Sequence, residues 1–121
     1  MNKRILLDTD MVVYALNHDI VLSKKKYAIS ILTEIAVCSH RKFESSRIEE
    51  FYNLLKEFKI YQLNDRVKET SIELKHKYAL SLDESIICST ALVHQNLLIT
   101  KNRKFSTIPN LNIFFMDKIR L

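Results

Sequence analysis

The sequence predicts an α/β fold: a mainly parallel sheet of four to five strands with helices on both faces. Two observations carry this. Short apolar runs recur along the chain, as the buried strands of a parallel sheet do. Between them lie stretches whose apolar residues return every three to four positions, the period of a helix. The two kinds alternate at short intervals, which is the pattern of parallel β-α-β units. A length of 121 residues allows one core, so a single domain over residues 1–121 is expected. With 47% hydrophobic and 27% charged residues, the chain should fold rather than remain disordered.

The elements follow in order. Ile5 to Leu7 is a strand that runs into Asp8-Thr9-Asp10. Asp10 is placed to cap a helix over Met11 to Asn17, closed by Asn17 to Asp19. After the basic run Ser23 to Lys26, Tyr27 to Ile31 reads as a second strand, and Thr33 then starts a helix with Glu34 in its first turn. Ser39 to Lys42 is a polar break. From Phe43 the apolar residues Ile48, Phe51, Tyr52, Leu55 and Phe58 keep helical spacing and read as core. Ile60 to Leu63 is a third strand. Asn64-Asp65 opens a helix with Val67, Ser71, Leu74 and Tyr78 on one face. A further helix starts at Asp83 or just before it and runs to about His94. Leu97 to Ile99 is a fourth strand entering Thr100. A short helix should link it to a fifth, Ile113 to Phe115.

Composition excludes several functions. The chain has no glycine and one proline, Pro109. A glycine-rich phosphate loop and a dinucleotide fingerprint are therefore both ruled out. The formal charge of +5 and pI of about 9.2 favour a polyanionic partner, nucleic acid above all. Cys38 and Cys88 lie far apart in apolar helical patterns and read as free thiols of a reducing compartment. His18, His40, His76 and His94 share no metal-ligand spacing. No apolar run approaches the ~18 residues of a membrane span. No leader is expected either, so the expected location is cytoplasmic.

Oxygen-bearing side chains gather at one set of positions. Asp8 and Asp10 follow the first strand, Glu34 follows the second, Asp83-Glu84 opens the helix before the fourth, and Thr100 and Asn102 follow the fourth. In a parallel sheet these positions share the carboxyl edge, where open α/β sheets place their crevice. Glu34, Asp83 and Glu84 are also what helix capping and the helix dipole favour in a first turn. Asp8 ends a strand with no obvious local need. Clustered carboxylates require a counter-charge, and an oxygen-only set suits Mg²⁺ or Mn²⁺ better than Zn²⁺.

The segments ILLDTDMVVYALN, AISILTEIAV and LSLDESIICSTALVHQNLLITKNRKFSTIPNL resemble the PIN-domain ribonucleases, specifically the VapC-type toxins of bacterial toxin–antitoxin pairs. The family pattern has an apolar strand ending L-D-T-N, then S-x-x-T-x-x-E, then P-D-x-x-I-A-A-T-A-L, and closes with L-x-T-x-D/N-x-x-F. The resemblance implies a three-layer α/β/α fold and a metal-dependent endoribonuclease. The implied ligands of Mg²⁺ or Mn²⁺ are Asp8, Glu34 (reading Thr33-Glu34 as the T and E of the pattern) and Glu84, with Asp83 as a substitute. Asn102 completes the implied catalytic set. Thr9, Thr100, Lys101, Arg103 and Lys104 would contact substrate or orient groups. An RNA substrate, a cognate antitoxin held in a groove of the helical middle, and a homodimer are implied as partners.

The chain departs from the pattern at Glu84, Asn102 and Lys104, where the fullest versions carry Asp. That leaves open a degenerate PIN domain that binds RNA or protein without cutting. A second alternative is a haloacid dehalogenase-like phosphatase, since Asp8-Thr9-Asp10-Met11-Val12 fits its D-x-D opening with Asp8 as nucleophile. Against it stand the short, glycine-free chain and the lack of a closing acidic segment.

Overall fold

At the centre of the sheet, β1 (Ile5–Leu7) pairs with β2 (Tyr27–Ser30) on one side and β4 (Leu97–Thr100) on the other. Beyond β2 lies β3 (Lys59–Tyr61), and beyond β4 lies β5 (Ile113–Phe115). All four pairings are parallel, giving the order β3-β2-β1-β4-β5. This computed structural model describes residues 3–39 and 45–116. The helices are α1 (Thr9–Asn17), α2 (Ile31–Cys38), α3 (Ser45–Leu55), α4 (Asp65–Lys77) and α5 (Leu82–His94), with a 3₁₀ turn over Arg103–Thr107.

Strand alternation divides the core into two layers. Leu6 and Leu98 face α4 and α5, packing with Leu74, Ile87, Cys88 and Ala91, and Phe105 closes that side. Leu7 and Ile29 face the opposite way, onto Met11, Val12 and Leu16 of α1, Val37 of α2, and Phe51 and Leu55 of α3. The expected three-layer α/β/α architecture is what forms, and the sheet has its fifth strand. Phe51 and Leu55 are core as the helical spacing required, Phe58 is core from beyond the end of α3, and Tyr52 stays half exposed.

Boundaries shift where capping side chains decide them. Helix α1 begins at Thr9, and its N-cap is Asp8 rather than Asp10: Asp8 has an extended backbone, and its carboxylate accepts the Thr9 N–H. The second strand stops at Ser30, whose hydroxyl oxygen accepts the Leu32 N–H at 3.0 Å and so turns Ile31 into the helix. The third strand runs Lys59–Tyr61, not Ile60 to Leu63. Tyr78 is the extended residue that ends α4. The link between β4 and β5 is a 3₁₀ turn in place of an α-helix. Phe43, His40 and the polar break beyond Ser39 fall outside the described residues.

In a chain without glycine, left-handed backbone among the described residues falls to Asp19, Gln95 and Asn110, with φ of 52°, 55° and 65°. Both cysteines are free thiols. No helix of the described residues is long and apolar enough to cross a membrane.

Candidate active site at the switch point of the sheet

The chain runs outward from β1 to β2 and β3, then crosses back to β4 and β5 on the other side. The order therefore reverses between β1 and β4, and the crevice beyond their carboxyl ends is the natural ligand site of such a sheet. Asp8 and Thr100 stand there. The Asp8 N–H donates to Ile99 O at 3.1 Å, extending the β1–β4 ladder by one residue. One carboxylate oxygen of Asp8, Oδ1, accepts the Thr9 N–H at 2.8 Å, and the other, Oδ2, accepts the Thr100 hydroxyl at 2.6 Å. Burial raises the pKa of Asp8. The bonds from Thr100 and Thr9 offset this in part, and the charges of Asp10 and Glu84 raise it further.

A hydrogen-bonded chain leads from Asp8 to a second acid. Thr100, fully buried, accepts the Asn102 N–H at 3.0 Å. Asn102 accepts the Lys104 N–H at 3.0 Å, which caps the 3₁₀ turn, and its Nδ2 donates to Glu84 Oε2 at 2.7 Å. Glu84 Oε1 accepts from Lys104 Nζ and from the Ser81 N–H, both at 2.8 Å. The Ser81 hydroxyl oxygen accepts the Glu84 N–H in return, completing a capping box at the start of α5. These donors, Lys104 first, hold the Glu84 carboxyl down to about 2. Below both acids lies Cys88, wholly buried. Burial pushes its thiol up, and Asp8 and Glu84 add to the effect.

Asp8 and Glu84 open onto one cavity of about 270 Å³. Its other walls are Thr9 and Asp10 of α1, Leu32 and Ala36 of α2, Asp83 and Ile87 of α5, and Asn102 and Phe105. Of the acids expected at this edge, the structure brings together Asp8, Asp10, Asp83 and Glu84. Glu34 does not line the cavity. On a helix, residues four apart share a face, so Leu32 and Ala36 face the cavity and Glu34 does not. The charge of Glu34 acts instead one turn along, where burial and then Glu34 raise the Cys38 thiol. Counted from Ser30 and Thr33, the pattern S-x-x-T-x-x-E places its acid at position 36, where this chain has Ala36.

The neutral and basic residues divide similarly. Thr9 lines the cavity, its hydroxyl 2.9 Å from that of the buried Thr33. Thr100 is spent on Asp8 and Asn102 and positions them; at full burial it has no surface for substrate. Lys101, Arg103 and Lys104 lie on one exposed turn. Lys101 Nζ sits 6.0 Å from the Tyr14 ring centroid and Arg103 Cζ 4.4 Å from that of Phe115. None of the three lines the cavity, but Lys104 reaches one of its acids, Glu84. Two residues lay outside the sequence reading: Ala36, and Ser81, whose S-x-x-E spacing to Glu84 is a readable capping signal.

A doubly wound α/β domain with acids drawn from β1 and α5 into its switch-point crevice is the class that this fold and site define. A family model, the PIN domain, matches residues 5–111, and the chain belongs to the PIN domain family. No curated protein matches it in sequence. Among solved structures it is similar to a chain of a toxin–antitoxin complex from Klebsiella pneumoniae, with 26% identity, TM-score 0.72, and coverage of 88% of this chain and 94% of that one. A DNA-bound VapBC from Salmonella typhimurium shares the fold at TM-score 0.78 and 13% identity, covering 93% of this chain and 98% of that one. VapBC2 from Rickettsia felis, bound to a promoter DNA fragment, does so at TM-score 0.74 and 22% identity with the same coverage.

PIN domains generally use divalent metal ions. Among the described residues, no three His, Cys, Asp or Glu side chains converge closely enough to hold one. The donors present are all oxygens, and of the four acids that line the crevice Asp8 and Glu84 are partly buried while Asp10 and Asp83 are exposed. That set fits Mg²⁺ in the way Mg²⁺ is usually held, through one or two carboxylates with waters and substrate phosphates supplying the rest. It does not fit an ion caged wholly by protein.

Proposed function

We propose that this chain is the toxin of a VapBC-type toxin–antitoxin pair and a Mg²⁺- or Mn²⁺-dependent endoribonuclease. The observation that carries the reading is the joint exposure of Asp8 and Glu84 in one switch-point cavity, linked through Thr100 and Asn102. Asp8 and Glu84 would hold the ion, with Asp83 and Asp10 at the rim. Bound there, the ion supplies the charge that makes a water nucleophilic at neutral pH and offsets charge on the phosphoryl oxygens. The protein's own work is positional. Thr100 and the Thr9 N–H fix both oxygens of Asp8, and Asn102 and Ser81 fix Glu84. Lys101 and Arg103 supply positive charge for the RNA backbone. No covalent nucleophile is needed, and membership of the PIN family sets the dehalogenase-like reading aside.

A partner groove is supported by a second cavity of about 330 Å³ between α1 and α3, lined by apolar side chains that include Leu16, Ile20, Leu54 and Phe58. We assign it to the antitoxin, and a homodimer to the toxin itself. The test of the main reading is cleavage of a labelled single-stranded RNA with Mn²⁺. Asp8→Asn should lower the rate roughly a hundredfold or more, beyond what loss of a supporting residue costs, with the far-UV circular dichroism unchanged. Equal rates would overturn it. A degenerate PIN domain is the second reading, favoured by Ala36 in the place of an acid and by the Lys104–Glu84 ion pair. It requires that the parent bind RNA or protein and cut no RNA.

A further inference from the structure

Glu84 has a cation beside it that a helix cap does not need. The Ser81 N–H already completes the capping box with it. Lys104 nevertheless brings its ammonium to 2.8 Å from the same Oε1, and Asn102 takes the other oxygen. Both oxygens of Glu84 are thus engaged from within the chain, Oε1 by two donors and Oε2 by one. Two features make this a device. The Lys104 arm is half exposed, at 52% for the side chain against 20% for Glu84, so it can leave without unpacking the core. It also springs from the exposed turn that carries Lys101 and Arg103, so a released ammonium stays beside the path proposed for RNA. An ion pair with one exposed partner is weak enough to exchange. Ala36, which also lines the cavity, adds no carboxylate that could hold a divalent ion against this competition.

We propose that Lys104 is a tethered counter-ion of the cleft. It closes Glu84 in the resting protein, competes with a divalent cation for that carboxylate, and passes to an RNA phosphate when the cation binds. The inference rests on the metal-dependent reading above and adds an internal lock to it. A lone toxin would then load its cation poorly until RNA brings phosphate oxygens to complete the coordination.

The experiment is Mn²⁺ binding, followed by paramagnetic resonance at fixed ionic strength, to the full chain and to Lys104→Ala, Lys104→Arg and Asp8→Asn. Lys104→Ala should bind Mn²⁺ about tenfold more tightly than the parent, because a unit charge beside the site is gone. Lys104→Arg, which keeps the charge, should stay near the parent. Amine modification of Lys104, read by mass spectrometry, should rise at saturating Mn²⁺ alone and fall again when a short RNA is added. If Lys104→Ala and the parent bind equally while Asp8→Asn binds less, the lock is refuted and the metal site stands. If none of the folded variants binds Mn²⁺, the metal-dependent reading fails and the lock fails with it.

Discussion

Asp8 and Glu84 are two acids a short chain of hydrogen bonds apart, and their environments push them in opposite directions. Burial raises Asp8, whereas Lys104, Ser81 and Asn102 lower Glu84 to about 2. The signs for stability are therefore opposite. Asp8 ionises more easily in the unfolded chain, so its contribution to stability falls as pH rises from the ordinary carboxylate value through its raised folded value. Glu84 stabilises the fold above its ordinary value of 4.5 and loses that contribution as pH falls toward 2. We expect Asp8→Asn, which keeps a capping side chain, to melt above the parent at pH 7. The gap should close when melting is repeated near pH 4. Glu84→Gln should melt below the parent at pH 7, and that deficit should shrink toward pH 2. Glu34 and Ala36 belong to this scale too. The chain spells an acid beside Thr33, but the side chain that reaches the crevice is set by helical phase, and at 36 there is only a methyl group. A reading that matches residue types without turning the helix misses it.

Helix α5 is where fold and chemistry are hardest to separate. Its N-terminus is closed by the reciprocal Ser81–Glu84 box, so the residue proposed as a metal ligand also holds its own helix. Ser81→Ala should cost about 1 kcal/mol of stability, the usual worth of such a cap, measured by urea unfolding. It should also loosen Glu84, and Mn²⁺ affinity should fall with it. An unchanged affinity would mean that the N–H of residue 81, which alanine keeps, and Asn102 are enough to orient the carboxylate. The elements themselves were largely readable from sequence. Leu97-Leu98-Ile99 is too short and apolar for anything but a buried strand, and Phe51, Leu55 and Phe58 keep one face. Their ends were not, because a single side-chain bond settles each. Ser30 ends β2 one residue early, and Asp8 takes the cap that Asp10 seemed placed to supply. The apparent lack of a local role for Asp8 was therefore mistaken.

At the scale of the molecule, the two core layers meet through strands of three and four residues. Leu6 and Leu98 serve one layer, and Leu7 and Ile29 the other. Truncating Leu98, wholly buried, to Ala should cost about 2–5 kcal/mol and would threaten the fold of so small a domain. The sheet order was legible only as a class: alternation announces a parallel sheet, but no residue announces that β4 returns to the far side of β1. The reach of Lys104 to Glu84 was hidden for the same reason, since it depends on how tightly the 3₁₀ turn is wound. Charge acts at this scale as well. With a net +5, RNA affinity should fall steeply with salt, and Lys101→Ala should reduce the slope of log K against log[salt] by about 0.7. An unaltered slope would place the backbone contacts elsewhere.

The left-handed residue that ends α5 has a practical consequence. Gln95 adopts φ 55°, ψ 40°, a conformation glycine takes without strain and other residues hold at a cost of roughly 1–2 kcal/mol. Gln95→Gly lies at the opposite end of α5 from Glu84 and gives back part of that cost, about 0.5–1 kcal/mol after the entropy of glycine is counted. It offers a stabilised background in which damaging cleft variants can be purified and compared. Nature's omission of glycine thus leaves the experimenter a reserve of stability at a site remote from the chemistry under test.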